Sequence, residues 1–239
     1  MRIAEALRDA RSRTLELALD LDDAQWLGPR LPIVNPLRWE LGHVAWFQER
    51  WTLRHVGGRP PRRADGDALY DSSQVAHATR WDLPLPDRHA TLAYMAETLA
   101  RSLEAITDDD QAYFHWLALF HEDMHDEAFT YTRQTLGYPA PSFARTSFGS
   151  TTAPGLAVTG GDGPLAGDVE LEGGEFWLGA TRAEPFVFDN EKWAHRVHVA
   201  PFRIARAPVT NEAFAAFVAD GGYARRELWS DEGWRWRSE

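Results

Sequence analysis

The run Ala118-Leu119-Phe120-His121-Glu122-Asp123-Met124-His125-Asp126-Glu127-Ala128 decides the fold of this chain. Its apolar residues recur at helical spacing. A helix puts His121 and His125 on one face, about one turn apart. Two imidazoles so placed can grip one metal ion from two sides. The same five residues spell His-Glu-x-x-His, the zinc-protease helix motif. Spacing alone leaves a hydrogen-bonded, partly buried His pair as an equal alternative.

Working outward, the helix carrying this run is expected to start at Thr107-Asp108-Asp109-Asp110, where acidic residues suit the positive end. It should reach about Leu136, with Gly137 as C-terminal cap and Pro139 beyond. Upstream, Asp87 can cap a helix of about Ala90 to Ile106, with Leu92, Met95, Leu99, Leu103 and Ile106 on one side. Residues 57–89 are rich in Pro, Gly and Arg and form a long connection, a feature often tied to function. Before them, Asn35-Pro36 reads as a cap followed by the first helical position, opening a helix to about Val56. Its apolar stripe is Leu37, Leu41, Val44, Phe47 and Trp51. His43, just after Gly42, lies beside that stripe and is expected to point inward. The first helix covers residues 3–21, with Ile3, Ala6, Leu7, Ala10, Thr14, Leu17 and Leu21 at spacings of three and four. Gly28-Pro29-Arg30-Leu31-Pro32 then forces a loop. Four long helices with one long crossover predict a four-helix bundle over residues 1–138, where metal sites form from facing helices.

The character changes after Tyr138. Residues 139–167 are rich in Gly, Pro, Ser and Thr and read as a linker. From Asp168 the pattern is short strands: Val169-Glu170-Leu171, Phe176-Trp177-Leu178-Gly179, and His195-Arg196-Val197-His198-Val199 in strict alternation. Pro208-Val209-Thr210-Asn211 opens a short helix through Val218, capped by Thr210 or Asn211. The second domain, 168–239, is small for an independent core and reads as cut short. The fold class is therefore α+β.

Composition excludes several functions. The chain has 239 residues, 44% of them hydrophobic, and a net charge of -11. Its mean hydropathy is -0.43 and its pI about 5.3, which argue for a soluble chain and against nucleic acid or an anionic membrane as partner. It has no Cys, so thiol catalysis and thiolate-bound metal are out. Any metal must take His, Asp or Glu, which favours iron, manganese or zinc. The amphipathic start is no signal peptide and no apolar run matches a membrane span, so a cytoplasmic enzyme is expected.

His43 gives a third imidazole on another bundle helix. Alone it reads as a satisfied core histidine; with His121 and His125 it makes a set. Three neutral imidazoles leave divalent iron its full charge and open positions for a substrate and O2. The zinc-hydrolase reading lacks its third ligand. One branch needs Gly and His after the motif, where this chain has Ala128 and Tyr131, and Glu170 and Glu172 lie in strand-like sequence. Glu122 would be the general base of a hydrolase. In the iron reading it orients an imidazole or is a solvated helix residue. His55, His77, His89, His115, His195 and His198 have no matching spacing. Asp108 to Asp110 read as a capping segment, and the Trp-rich end as core.

Several stretches together resemble a known family. They are Leu41-Gly42-His43-Val44-Ala45-Trp46-Phe47, the His121 to His125 run, Gly173-Gly174-Glu175-Phe176-Trp177-Leu178-Gly179, Phe188-Asp189-Asn190-Glu191 and Pro208-Val209-Thr210-Asn211. In that order they resemble the ergothioneine-biosynthesis sulfoxide synthases, which join a DinB-like bundle to a formylglycine-generating-enzyme-like (C-type-lectin-like) domain. The resemblance spans nearly the whole chain. It implies that His43, His121 and His125 bind Fe(II). It also implies that O2 is used to join a sulfur donor to the imidazole carbon between the two nitrogens of hercynine, trimethylated histidine. The family's catalytic Tyr, in the second domain, is expected beyond residue 239.

The chain departs from those synthases where substrates would bind. They have Gln before the last ligand, contributing to the hercynine site; here it is Met124. They have two Arg holding a glutamyl-cysteine donor. Arg80 can stand for one, but Leu83-Pro84-Leu85-Pro86 offers no second charge. The Asn35-Pro36-Leu37-Arg38-Trp39-Glu40 lead-in and the His-Glu-Asp-Met-His wording are closer to the selenoneine-synthase branch. A neutral selenosugar donor needs no second Arg, so the two observations agree. Asp123 and bundle Trp residues are candidates for the trimethylammonium group. The rival readings are a zinc hydrolase on the same helix and a non-catalytic DinB-like binding bundle.

Overall fold

The computed structural model describes residues 3–107, 112–141 and 167–239. The chain divides into two compact units, Met1–Ser147 and Phe148–Glu239. Most of the linker expected over 139–167, and the acidic helix start at 108–110, lie outside the described residues.

The first unit is an all-helical bundle. Helix α1 (Ile3–Glu16) buries Ile3, Ala6, Leu7 and Ala10 along one face. It stops sooner than its apolar pattern, which continues through hydrogen-bonded turns that still bury Leu17, Ala18 and Leu21. A short helix not evident from periodicity, α2 (Asp23–Leu27), follows. Asp22 and Gln25 form a capping box at its start, and its Trp26 is fully buried. Helix α3 (Leu37–Gln48) runs on into a π-helical segment, Glu49–His55. The wider turn rotates the buried face, so Gln48, Glu49, Thr52 and Leu53 point inward while Trp51 is only half-buried.

The long connection holds α4 (Gly66–Tyr70), which drives Leu69 and Tyr70 into the core. Helix α5 (Arg88–Glu104) starts as its sequence predicts, with Asp87 accepting from the Ala90 amide at 2.8 Å. Helix α6 (Tyr113–Thr135) carries the two-histidine run. The expected cap at Asn35 is a correction: Pro36 occupies the cap position, with no side-chain bond to the helix. The Asn35 oxygen that would accept from the helix amides instead accepts from Arg80 at 2.7 Å, while Asn35 Nδ2 donates to the buried Glu40 Oε1 at 2.7 Å.

Two apolar clusters fill the bundle, one around Trp26, Trp39, Tyr70 and Phe129, the other around Ile3, Leu7 and Leu119. Buried polar side chains also meet in its interior. Arg11 on α1 donates to Glu122 on α6 at 2.6 Å, to Gln48 of α3 at 3.0 Å and to the Met95 carbonyl of α5. Thr14 lies 2.9 Å from Glu122 Oε1 and 2.7 Å from Asp126 Oδ1.

The second unit is built from two antiparallel strand pairs. Strand β1 (Asp168–Leu171) pairs with β4 (Phe202–Ala205), and β2 (Gly174–Leu178) with β3 (His195–Val199). Gly173, at φ 76°, joins β1 to β2 where a Cβ would lie 2.2 Å from the Val199 carbonyl. Helix α7 (Asn211–Ala219) is capped by Thr210 and α8 (Asp231–Ser238) by Ser230. At the Trp-rich end Trp229 and Trp234 are half-buried, with Trp229 donating to the Gly222 carbonyl at 2.9 Å, while Trp236 is 67% exposed. Among the described residues no helix is long and apolar enough to cross a membrane.

Candidate metal centre

Helices α3 and α6 pack together and bring His43, His121 and His125 to one point. Each offers one ligand nitrogen, and the three lie within 4.8 Å of one another. The Nε2 atoms of His43 and His121 are 3.2 Å apart.

The orientation of His43 is set by backbone. The carbonyl of Tyr70, the last residue of α4, lies 2.7 Å from His43 Nδ1. That contact fixes the proton on Nδ1 and leaves the Nε2 lone pair facing the other rings. Gly42 makes the contact possible. A Cβ there would sit 2.3 Å from the Tyr70 ring, so only glycine lets that ring cross α3 so closely. Aromatic walls complete the support. Trp39 stacks on His43 at 4.7 Å with Trp46 at 5.7 Å, and Phe47 stacks on His121 at 3.6 Å.

Electrostatics keep His43 and His121 neutral. Burial, and next the neighbouring His125, push His43 down to about 3, against the pull of the Tyr70 hydrogen bond. Burial and the other two histidines hold His121 well below the usual imidazole range. The Nε2 atoms of His43 and His121, 3.2 Å apart, can share a proton when one ring carries its hydrogen on Nε2, or a cation when both turn lone pairs inward. The Nδ1 atoms of His121 and His125 are buried with no hydrogen-bond partner. The site therefore fits a divalent transition ion bound through three imidazole nitrogens, with open positions left over.

The other expected site residues fall in different places. Arg80 borders the centre. Its guanidinium lies 3.8 Å from the Trp39 ring, itself stacked on His43, and donates to Asn35 Oδ1 at 2.7 Å. Met124 flanks the histidine face and is 52% exposed. Asp123 is a correction. It is about 200° around α6 from each histidine and pairs with Arg13 of α1 at 2.6 Å, so it does not face the centre. Glu122 is a second correction. It is neither solvated nor set against an imidazole, because Arg11 and Thr14 hold both its oxygens in the interior. A hydrolase base is thus missing from the His-Glu-x-x-His helix. His115 bonds the Ser102 carbonyl at 3.2 Å, and His195 and His198 are exposed on β3.

Sequence reasoning missed Glu40 as a contributor to the site. It is 1% exposed, and its Oε2 lies 3.7 Å from His125 Nδ1. Its signal was one acid amid apolar residues, three positions before His43. The Tyr70 carbonyl gave no signal, since a backbone group has no residue type.

These features define a helical bundle with a preformed three-imidazole centre. The chain belongs to the DinB superfamily, whose model matches residues 6–134, and residues 156–239 match the sulfatase-modifying factor enzyme 1-like domain. It is 35% identical over 247 aligned positions to the hercynine oxygenase of Mycolicibacterium smegmatis, covering 99% of this chain and 54% of that protein. Identity to the hercynine oxygenase of Mycolicibacterium thermoresistibile is 37% over 250 positions, 99% of this chain and 52% of that one. A shorter match, 39% over 80 residues, links 31% of the chain to 26% of the formylglycine-generating enzyme of Streptomyces coelicolor. The chain spans about half the length of the hercynine oxygenases it matches.

Proposed function

We propose that His43, His121 and His125 bind iron(II), and that the chain carries the metal-binding bundle of an O2-dependent synthase acting on hercynine. The reaction joins a chalcogen donor to the imidazole carbon between the two ring nitrogens. The observation that carries this reading is the convergence of three ligand nitrogens, from two helices, within 4.8 Å. Relatives named for oxygenation of hercynine support the substrate. Iron held here supplies the redox chemistry that couples O2 to formation of the carbon–chalcogen bond.

The chain's own residues position and shield. The Tyr70 carbonyl fixes which nitrogen of His43 faces the centre. Trp39, Trp46 and Phe47 cover the His43 and His121 rings and exclude water from those sides. Such aromatic faces also suit a trimethylammonium group. Arg80 offers a cation at the edge of the Trp39 stack for the polar part of a donor. We favour a selenosugar donor over a thiol peptide. Residues 83–86 carry no charge, and Leu83 and Leu85 pack on the core, so no second cation joins Arg80 from that turn. Net charge -11 fits small-molecule substrates rather than nucleic acid, and a cytoplasmic setting is part of the same proposal.

Anaerobic loading with Fe(II) tests the centre. Wild type should retain one iron per chain, and His121→Ala should lose it; equal retention in both refutes the assignment. Calorimetry of hercynine against the loaded protein tests the substrate, and no heat of binding would count against it. Mass spectrometry of products from hercynine with each donor separates selenium from sulfur.

A further inference from the structure

Two buried atoms without hydrogen-bond partners face each other at the edge of the centre. Glu40 Oε2 and His125 Nδ1 each lack a hydrogen-bond partner. They are 3.7 Å apart, and the Glu40 side chain is almost wholly shielded from water. The other oxygen of Glu40 is tethered: Asn35 Nδ2 donates to Oε1 at 2.7 Å. Asn35 is held in turn by Arg80, whose guanidinium carbon sits 3.8 Å from the Trp39 ring centroid. A carboxylate kept out of water and left half-satisfied is costly unless a cation or donor arrives nearby.

We propose that Glu40 is the positioning residue for His125: its Oε2 accepts the Nδ1 proton and turns the Nε2 lone pair of that ring onto the metal. This rests on the metal-binding reading above. An imidazole that ligates through Nε2 must carry its proton on Nδ1, and that proton needs an acceptor. Tyr70 supplies a neutral one for His43. Glu40 supplies an anionic one for His125, closing a gap of less than about 1 Å to reach hydrogen-bond length. Helix α3 then contributes twice, with His43 as a ligand and with Glu40, three residues earlier, as the anchor of a ligand on α6. The chain Arg80–Asn35–Glu40–His125 also links the donor-side cation to the metal, so the carboxylate is held from both ends.

The test uses the full chain and Co(II), whose absorption bands report ligand number and geometry. Glu40→Gln keeps an oxygen for Asn35 but turns an amide N–H toward His125 Nδ1. That favours the ring tautomer with its proton on Nε2, facing the metal. Co(II) affinity should fall about 10- to 100-fold, with altered bands. Metal-free Glu40→Gln should melt no lower than metal-free wild type, since a buried charge has been removed. Asn35→Ala, which frees Glu40 from its tether, should weaken Co(II) binding by a smaller factor. In a His125→Ala background, Glu40→Gln should produce no further loss. Wild-type affinity and spectrum for Glu40→Gln, or the same fold-loss without His125, overturns the proposal and leaves the metal centre standing. Absence of Co(II) and Fe(II) binding by wild type overturns both.

Discussion

Gly42→Ala separates helix propensity from site geometry, because the two predict opposite signs. In an ordinary helix interior the change stabilises by about 1 kcal/mol. Here the new methyl lies 2.3 Å from Cε1 and Cζ of Tyr70. Carbon atoms settle near 3.5–4.0 Å, so roughly 1.2 Å of displacement is needed. Tyr70 is fully buried in the core cluster, so the ring has no open side to move into. Overpacking of this kind costs about 1–3 kcal/mol. A similar shift of the Tyr70 backbone would stretch its 2.7 Å contact with His43 beyond hydrogen-bond range. A buried imidazole N–H left unpaired adds about 1–3 kcal/mol. The expected net loss is about 3 kcal/mol, or roughly 6–12 °C in melting temperature. Thermal unfolding followed by circular dichroism reads the first effect. Co(II) titration reads the second, as a loss of about 10- to 100-fold in affinity. A Gly42→Ala protein that melts at or above wild type and binds Co(II) normally would refute this account of how α4 sets His43.

Arg11→Met strands the Glu122 carboxylate in the interior and should cost about 3–5 kcal/mol in urea unfolding, while Arg11→Met with Glu122→Leu should recover most of it. Chelation should lower the melting temperature of metal-loaded wild type by roughly 5–11 °C, from about 2.7 kcal/mol of linkage at a hundredfold excess over Kd, and should leave His121→Ala unchanged. Arg54, and then Trp46, hold the Asp67 carboxylate down to about 2, against burial. Its contribution is complete above the unfolded value near 4 and is lost as pH falls from about 4 to 2. Asp67→Asn should flatten that limb of the acid-unfolding curve by less than about 1 kcal/mol, since the pair is half-exposed.

Periodicity revealed the four long helices because each buries a stripe at helical spacing, and the Asp87 and Thr210 caps were legible as local side-chain chemistry. Three things were not. The π-helical segment changes the period itself, so Trp51 left the face its spacing assigned. Asn35 carried a cap signature, but Arg80, distant in sequence, takes its acceptor oxygen. Helix α4 has only five residues, too few to show a period, yet its last carbonyl orients His43. At the centre, residue type and spacing identified the three imidazoles, but not which face of α6 the acids take. Glu122, Asp123 and Asp126 are drawn to Arg11, Arg13 and Thr14 on α1, a pairing made across more than a hundred residues of sequence.

The Arg11 guanidinium reaches one group on each of the three other long helices, so it works like a key cut for a single lock setting. Sliding α1 or α6 by one turn would leave that cation facing hydrocarbon and the Glu122 anion facing nothing, a state far above the native one. Apolar stripes alone would tolerate such slips. The histidines can meet only when the helices are in this one alignment, so the interior charge proofreads the metal centre from a distance.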